Sequence, residues 1–240
     1  MKEDAFRLVG TPRFGGILVV SDHASARVPD DIALRVDDAV LSRHVAVDIG
    51  VAEVATIMAA RAGIAALLGN VSRLVCDLNR EPEALALVPE TSDDIAIPGN
   101  IGADRAARIA RFHTPYHAAL EDLLQAVPPA LIVSLHSFTP RLASGGAPRP
   151  WQVGLLYNED ERAARLAIPL LEAEGLVVGD QQPYSGRDLN YTMNRHAEAD
   201  GRPYMGIEVR QDEISDPAGQ AAWAERLARI SNEVALKLSD

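Results

Sequence analysis

The chain has 240 residues, enough for one large α/β domain, and its 48% apolar and 24% charged residues support a buried core and exclude a disordered chain. A formal net charge of −11 repels phosphate backbones and anionic bilayers, which argues against nucleic-acid and membrane partners. The single cysteine, Cys76, rules out an intrachain disulfide and any cysteine-rich metal centre. No run approaches the roughly 18 apolar residues of a membrane helix, so a cytoplasmic protein is expected.

Residues 16–21, "GILVVS", read as a buried strand that empties into Asp22 and His23. Residues 37–62 carry apolar side chains at helical spacing and stop at Gly63, where a C-cap is expected. In "AALLGNVSRLVCDLNR", residues 65–80, two short strands flank the turn-prone Gly69 and Asn70; the second holds Cys76 as a buried residue and ends in Asp77, Asn79 and Arg80. Residues 81–103 contain Pro82, Pro89 and Pro98 and no sustained period, and a connection of that length reads as a functional cover. Asp104 caps a helix running to about Gln125, interrupted by Pro115 and ended by Pro128 and Pro129.

The strand at 131–138, "LIVSLHSF", closes on His136 and Ser137, and a basic Gly/Pro-rich loop follows at 139–150. A strand at 151–158, a helix at 161–174, a strand at 176–180 and an irregular segment at 181–204 lead to a strand at 205–211 and a helix from about residue 216. Strands alternate with helices along the chain. The expected class is α/β: one domain over residues 1–240, with a mixed, mostly parallel sheet between helical layers.

In such sheets ligands bind beyond the carboxyl ends of the strands. Four predicted strands end there in reactive groups: His23; then Asp77, Asn79 and Arg80; then His136 and Ser137; then Glu208 and Arg210. Two histidines and a carboxylate suit a catalytic zinc that keeps one position for water, while a second carboxylate takes the proton. The same donors suit manganese, iron or nickel. No G-x-S-x-G elbow, P-loop or G-x-G-x-x-G is present, and a cysteine nucleophile would need an exposed thiol.

The segments "SDHASARVP", "HVAVDIG", "SRLVCDLNREP", "PETSDDIAIPGN", "RFHTPYHAAL", "SLHSFTP", "RPWQVGLLYNED", "QPYSG" and "IEVRQDEI" stand in an order and spacing that resembles the N-formylglutamate amidohydrolase family over roughly residues 15–230. The resemblance implies a three-layer zinc-carboxypeptidase-like (phosphorylase/hydrolase-like) fold and hydrolysis of N-formyl-L-glutamate to formate and glutamate. "CDLNRE" is similar to the metallocarboxypeptidase segment whose Asn and Arg hold a substrate carboxylate, which points to Asn79 and Arg80. Arg80 has a plainer alternative as a partner of Glu81. An arginine fork gripping a carboxylate bidentately fits the first role. Glu208 is similar in position to the general base of those enzymes, and its apolar neighbours would raise its pKa. Pairing with Arg210 or another arginine is its alternative. Arg210, two residues along the strand, should share that face and either stabilise the oxyanion or orient Glu208. The resemblance extends substrate contact to Arg73, Ser137, Arg149, Tyr184, Ser185 and Gly186.

The carboxypeptidase H-x-x-E pattern is broken, because Ala26 stands where its glutamate would be. Asp48 is the favoured third ligand beside His23 and His136, since His44 and Asp48 at i, i+4 share one face of the expected helix. His44 and Asp22 are the alternatives. His113 and His117 flank Pro115 and leave open ligation, substrate contact by Tyr116 or His117, or plain packing; His196 reads as a loop residue able to enter the site. A small carboxylate substrate is the implied partner. A carboxylate-binding module without turnover, or an amidohydrolase for another acyl amino acid or a peptide, would use the same residues.

Overall fold

The computed structural model describes residues 5–142 and 144–239. Its centre is a seven-stranded sheet of β1 (Phe6–Gly10), β2 (Ile17–Ser21), β3 (Ile64–Gly69), β6 (Leu131–Phe138), β7 (Val153–Leu156), β8 (Val178–Asp180) and β9 (Tyr204–Arg210) in spatial order β1-β3-β2-β6-β9-β7-β8. Neighbouring strands β3, β2, β6 and β9 run parallel; β1 on β3 and β7 on β9 are antiparallel. β2, β3 and β6 are buried along their whole length, as expected for the centre of a sheet covered on both faces. A small hairpin, β4 (Thr91–Ser92) and β5 (Ile95–Ala96), lies outside the sheet.

Helices α2 (Val51–Ala59), α5 (Arg162–Glu172) and α7 (Pro217–Ser239) pack together along the sheet. α4 (Thr114–Ala126) lies by β1 and β3, where Pro115, Ala118 and Leu123 share a groove with Phe6, Leu8 and Leu67; α6 (Tyr191–His196) packs beside it. The three-layer α/β arrangement read from the sequence is the one found. The short helices α1 (Asp38–Leu41) and α3 (Arg105–Arg108) complete the set used below.

Two local expectations are corrected. The single helix expected over 37–62 is α1 and α2 separated by turns. The Asp48 amide is drawn to the His23 carbonyl (3.0 Å), and Gly50 enters α2 with φ +81, where an added Cβ would lie 2.2 Å from the Ile214 carbonyl oxygen. His44 and Asp48 therefore do not share a helix face. The strand expected after Asn70 is a buried irregular segment instead. Its apolar side chains pack in the core, while side chains take its carbonyls: Asn100 Nδ2 donates to Leu74 (2.8 Å), Arg108 Nη1 to Val75 (2.9 Å) and His117 Nε2 to Leu78 (2.9 Å). A buried carbonyl left unpaired costs about 1–3 kcal/mol, and these bonds remove the need for a neighbouring strand.

Pro115 is accommodated without breaking the chain's helical course. Asp104 caps α3 by accepting from the Ala107 amide (3.0 Å), a π-turn spans Ile109–His113, and Pro115 falls in the first turn of α4, where its missing N–H costs least.

Candidate active site

The carboxyl ends of β2, β6 and β9 bring His23, His136 and Glu208 to one cavity of about 160 Å³, lined also by Asp48, Arg73, Asp77, Asn79, Arg80 and Tyr184. His136 and Glu208 are register partners on adjacent parallel strands, and Ser21 Oγ ties the end of β2 to the Leu135 carbonyl (2.7 Å). Sheet registry thus fixes the spacing of three groups that lie far apart in sequence.

Asp48 reaches between the two imidazoles. Its Oδ2 is 2.9 Å from His136 Nδ1 and 3.4 Å from His23 Nδ1, and the rings stand 5.1 Å apart at 63°. The opposite nitrogen of each ring faces another carboxylate: His23 Nε2 lies 2.7 Å from Asp77 Oδ1, and His136 Nε2 lies 3.4 Å from Asp22 Oδ2. Asp22 is held in turn by the Thr192 hydroxyl (3.0 Å). A carboxylate behind a ligating imidazole fixes its tautomer and raises its basicity, so this arrangement suits a metal on the Nδ1 side.

Donor atoms of His23, Asp48 and His136 all lie within 4.8 Å of one another, and His23 Nδ1 is buried without a hydrogen-bond partner. Two nitrogens and one oxygen, with a cavity on the open side, match the donor set of a catalytic divalent cation. The residues present fit the group.

The electrostatics are dominated by this cluster. Burial opposes the charge on His136, but Asp22 and Asp48 outweigh it and raise that imidazole well above its usual range. Burial likewise works against the Asp48 and Asp77 carboxylates; His23, with His136 at Asp48 and Arg73 at Asp77, holds them far below the usual carboxylate range. Glu208 behaves in the opposite way. Burial lifts its carboxyl to about 7, opposed by the charge of His136 and reinforced by that of Asp48, and its Oε2 has no hydrogen-bond partner.

The other expected site residues divide. Arg73 spans Asp48 (3.4 Å) and Asp77 (3.0 Å), so its charge offsets the acid between the imidazoles and the one behind His23. Arg80 faces the cavity with Asp77 3.7 Å from its Nε, and that nitrogen has no hydrogen-bond partner. Asn79 Oδ1 accepts from the Thr192 amide at the start of α6 (2.9 Å), which leaves its Nδ2 as the donor for a ligand. Ser137 lines the cavity and donates to the Ile49 carbonyl (3.0 Å). Arg149 backs Tyr184 from outside the lining, with Nη1 3.0 Å from the phenol oxygen and the guanidinium 4.8 Å from the ring centre.

Arg210 does not join the site. The strand ends there, and its guanidinium is gripped by Asp212 (2.7 and 3.1 Å) and Glu213 (3.1 Å) in the turn that follows. Ser185 and Gly186 do not line the cavity either. Gly186 passes so close to Tyr157 that a Cβ would stand 2.5 Å from its backbone, which makes this glycine a packing requirement. His44 sits at the mouth with Nε2 3.0 Å from Asp93. Asp77, expected at the strand ends, and Asp22, an alternative ligand, stand behind the imidazoles, a placement that spacing does not reveal; Asp77 is 54 residues from its histidine.

His113, His117 and His196 form a second histidine cluster outside the cavity lining, with His117 Nδ1 2.9 Å from His196 Nε2. Burial, then the neighbouring His113, pushes His117 down to about 3, and burial, then Arg195, pushes His196 to about 4. Both folded values lie below the unfolded one near 6.5, so the unfolded chain binds more protons between them. Stability then falls as pH drops through that window, by up to about 1.4 kcal/mol per pH unit for each imidazole. Denaturation midpoints measured from pH 7 to pH 5 should decline less steeply in His117→Phe than in the wild type; equal slopes would contradict these low values.

The family model described as N-formylglutamate amidohydrolase matches residues 15–215. The crystal structure of gene product Atu2144 from Agrobacterium tumefaciens is similar at 30% identity and TM-score 0.91, over 100% of this chain and 98% of that one. An N-formylglutamate amidohydrolase from Ralstonia eutropha JMP134 shares the fold at 19% identity and TM-score 0.77, over 98% of each chain. A bacteriophage poly-gamma-glutamate hydrolase shares it more distantly, at 13% identity and TM-score 0.50, over 98% of this chain and 90% of that one. No curated protein matches the chain. Among the described residues no helix is long and apolar enough to cross a membrane. By its match across residues 15–215, and with two imidazoles and an aspartate converging at the strand ends, the chain belongs to the N-formylglutamate amidohydrolase family and is an enzyme acting on amides.

Proposed function

We propose that this enzyme is a cytoplasmic, metal-dependent deformylase that hydrolyses N-formyl-L-glutamate to formate and L-glutamate. The observation that carries the reading is one cavity holding the His23, Asp48 and His136 donors, the buried Glu208 carboxyl and the Arg80 guanidinium. His23, Asp48 and His136 would hold zinc. When bound, the ion supplies polarisation of a carbonyl and a lowered pKa for water. Glu208, with a pKa lifted to about 7, is suited to accept a proton from water and return it to the leaving amine. Arg80 and the Asn79 amide nitrogen grip a substrate carboxylate, and Tyr184, braced by Arg149, lines the same cavity.

A formate-release assay with N-formyl-L-glutamate tests this directly. Turnover that needs zinc is expected, whereas binding of L-glutamate with no turnover at any metal loading would leave a carboxylate-binding module. Arg80→Ala should raise KM by about 10- to 100-fold, the worth of a charge-assisted bond to a carboxylate, with a smaller change in kcat. An unchanged KM would remove Arg80 from substrate binding.

A further inference from the structure

The segment that carries Asp77, Asn79 and Arg80 into the cavity is neither strand nor helix, so sheet registry does not hold it in place. Two imidazoles from the chain that enters and begins α4 hold it instead. His117 Nε2 lies 2.9 Å from the Leu78 carbonyl oxygen and His113 Nε2 lies 3.0 Å from that of Arg80. The same segment is tied to α6 by Asn79 Oδ1, which accepts from the Thr192 amide.

The hydrogen-bond chemistry fixes the tautomers. A carbonyl only accepts, so His117 must carry its proton on Nε2, and as a neutral ring it then accepts at Nδ1. The partner at Nδ1 is His196 Nε2, which must therefore donate. The two rings lie nearly parallel, at 7° with centroids 5.2 Å apart, as an in-plane nitrogen-to-nitrogen hydrogen bond requires; Tyr191 packs edge-on to His117 at 5.2 Å, and His113 and His117 stand 4.2 Å apart. His117, His196 and His113 are all buried, so each bond is shielded from competing water.

We propose that His117 and His113 are positioning residues for substrate binding: they hold the Leu78 and Arg80 carbonyls and so aim the Arg80 guanidinium and the Asn79 amide nitrogen, with His196 fixing the tautomer of His117. The inference rests on the reading of Asn79 and Arg80 as the carboxylate grip. The histidine cluster supports recognition, separately from the chemistry at His23, Asp48 and His136.

The test is a comparison of His117→Phe, His117→Gln and His113→Phe in the full chain loaded with zinc. Phenylalanine keeps the ring and removes the donor; glutamine keeps an N–H donor. For His117→Phe, KM for N-formyl-L-glutamate should rise about tenfold, the worth of one buried hydrogen bond, with kcat changed less than about threefold and zinc content unaltered. His117→Gln should recover most of the KM. A KM unmoved in His117→Phe, or kcat falling as far as KM rises, would overturn the proposal. Should His117→Phe fail to fold, His113→Phe is read by the same criteria.

Hydrogen exchange of the Asn79 amide, which donates to Asp77 Oδ1 (3.0 Å), gives a readout independent of turnover. In the positioning variants it should quicken about tenfold or more, reflecting a loosened segment. If the wild type does not hydrolyse N-formyl-L-glutamate, the proposed substrate fails while this readout still decides the positioning role, and unchanged exchange rejects it.

Discussion

Glu208→Gln is expected to lower kcat by about 10²- to 10⁴-fold, the range that a positioned general base contributes, while zinc content stays at the wild-type level. The two outcomes separate because of where Glu208 sits. It is the register partner of His136 across β6 and β9, but the clustered donor atoms belong to His23, Asp48 and His136. Its Oε2 is buried without a partner, and glutamine fills nearly the same space without a proton-accepting oxygen anion. Turnover within a few fold of wild type would remove Glu208 as the base.

His136→Ala has the second large effect. It deletes one of three donors and takes away the imidazole 2.9 Å from Asp48, leaving that buried carboxylate with His23 and Arg73, each at 3.4 Å. Zinc measured by elemental analysis should fall to a small fraction of the wild-type stoichiometry, and formate release should fall with it. Breaking a buried charge pair from one side costs about 3–5 kcal/mol, so the metal-free variant should also unfold at lower denaturant than the metal-free wild type. Wild-type zinc content in His136→Ala would move the metal elsewhere.

Much of this arrangement was legible in the sequence, for reasons that differ by element. "ILVVS" and "LIVSLHSF" are apolar runs that end on polar residues, and a buried parallel strand leaves its reactive groups at its carboxyl end. That logic brought His23, His136 and Glu208 to one edge. It did not extend to residues 71–80, where an equally apolar run is buried without being a strand. Periodicity registers burial; it does not register that Asn100, Arg108 and His117 would take the carbonyls. Asp77, Asn79 and Arg80 still reach the cavity, by a different route.

Asp48 makes the same point about local geometry. Helical spacing between His44 and Asp48 suggested a shared face, yet the aspartate lies in the turn before α2 and meets His23 through its backbone amide as well as its carboxylate. His44 turns instead to Asp93 in the hairpin tip. Arg210 illustrates a limit of strand alternation: it follows Glu208 by two residues, but the strand ends at it and nearby carboxylates capture the side chain. The acids behind the imidazoles, Asp77 and Asp22, depend on contacts that only the folded chain makes.

Anomalous scattering at the zinc absorption edge, from crystals of the zinc-loaded protein, locates the metal centre. One strong peak bonded by His23, Asp48 and His136 is expected, with Glu208 beside it and unligated. A fully active protein whose zinc lies elsewhere, or which holds no metal at all, would rule out a catalytic metal on these three residues.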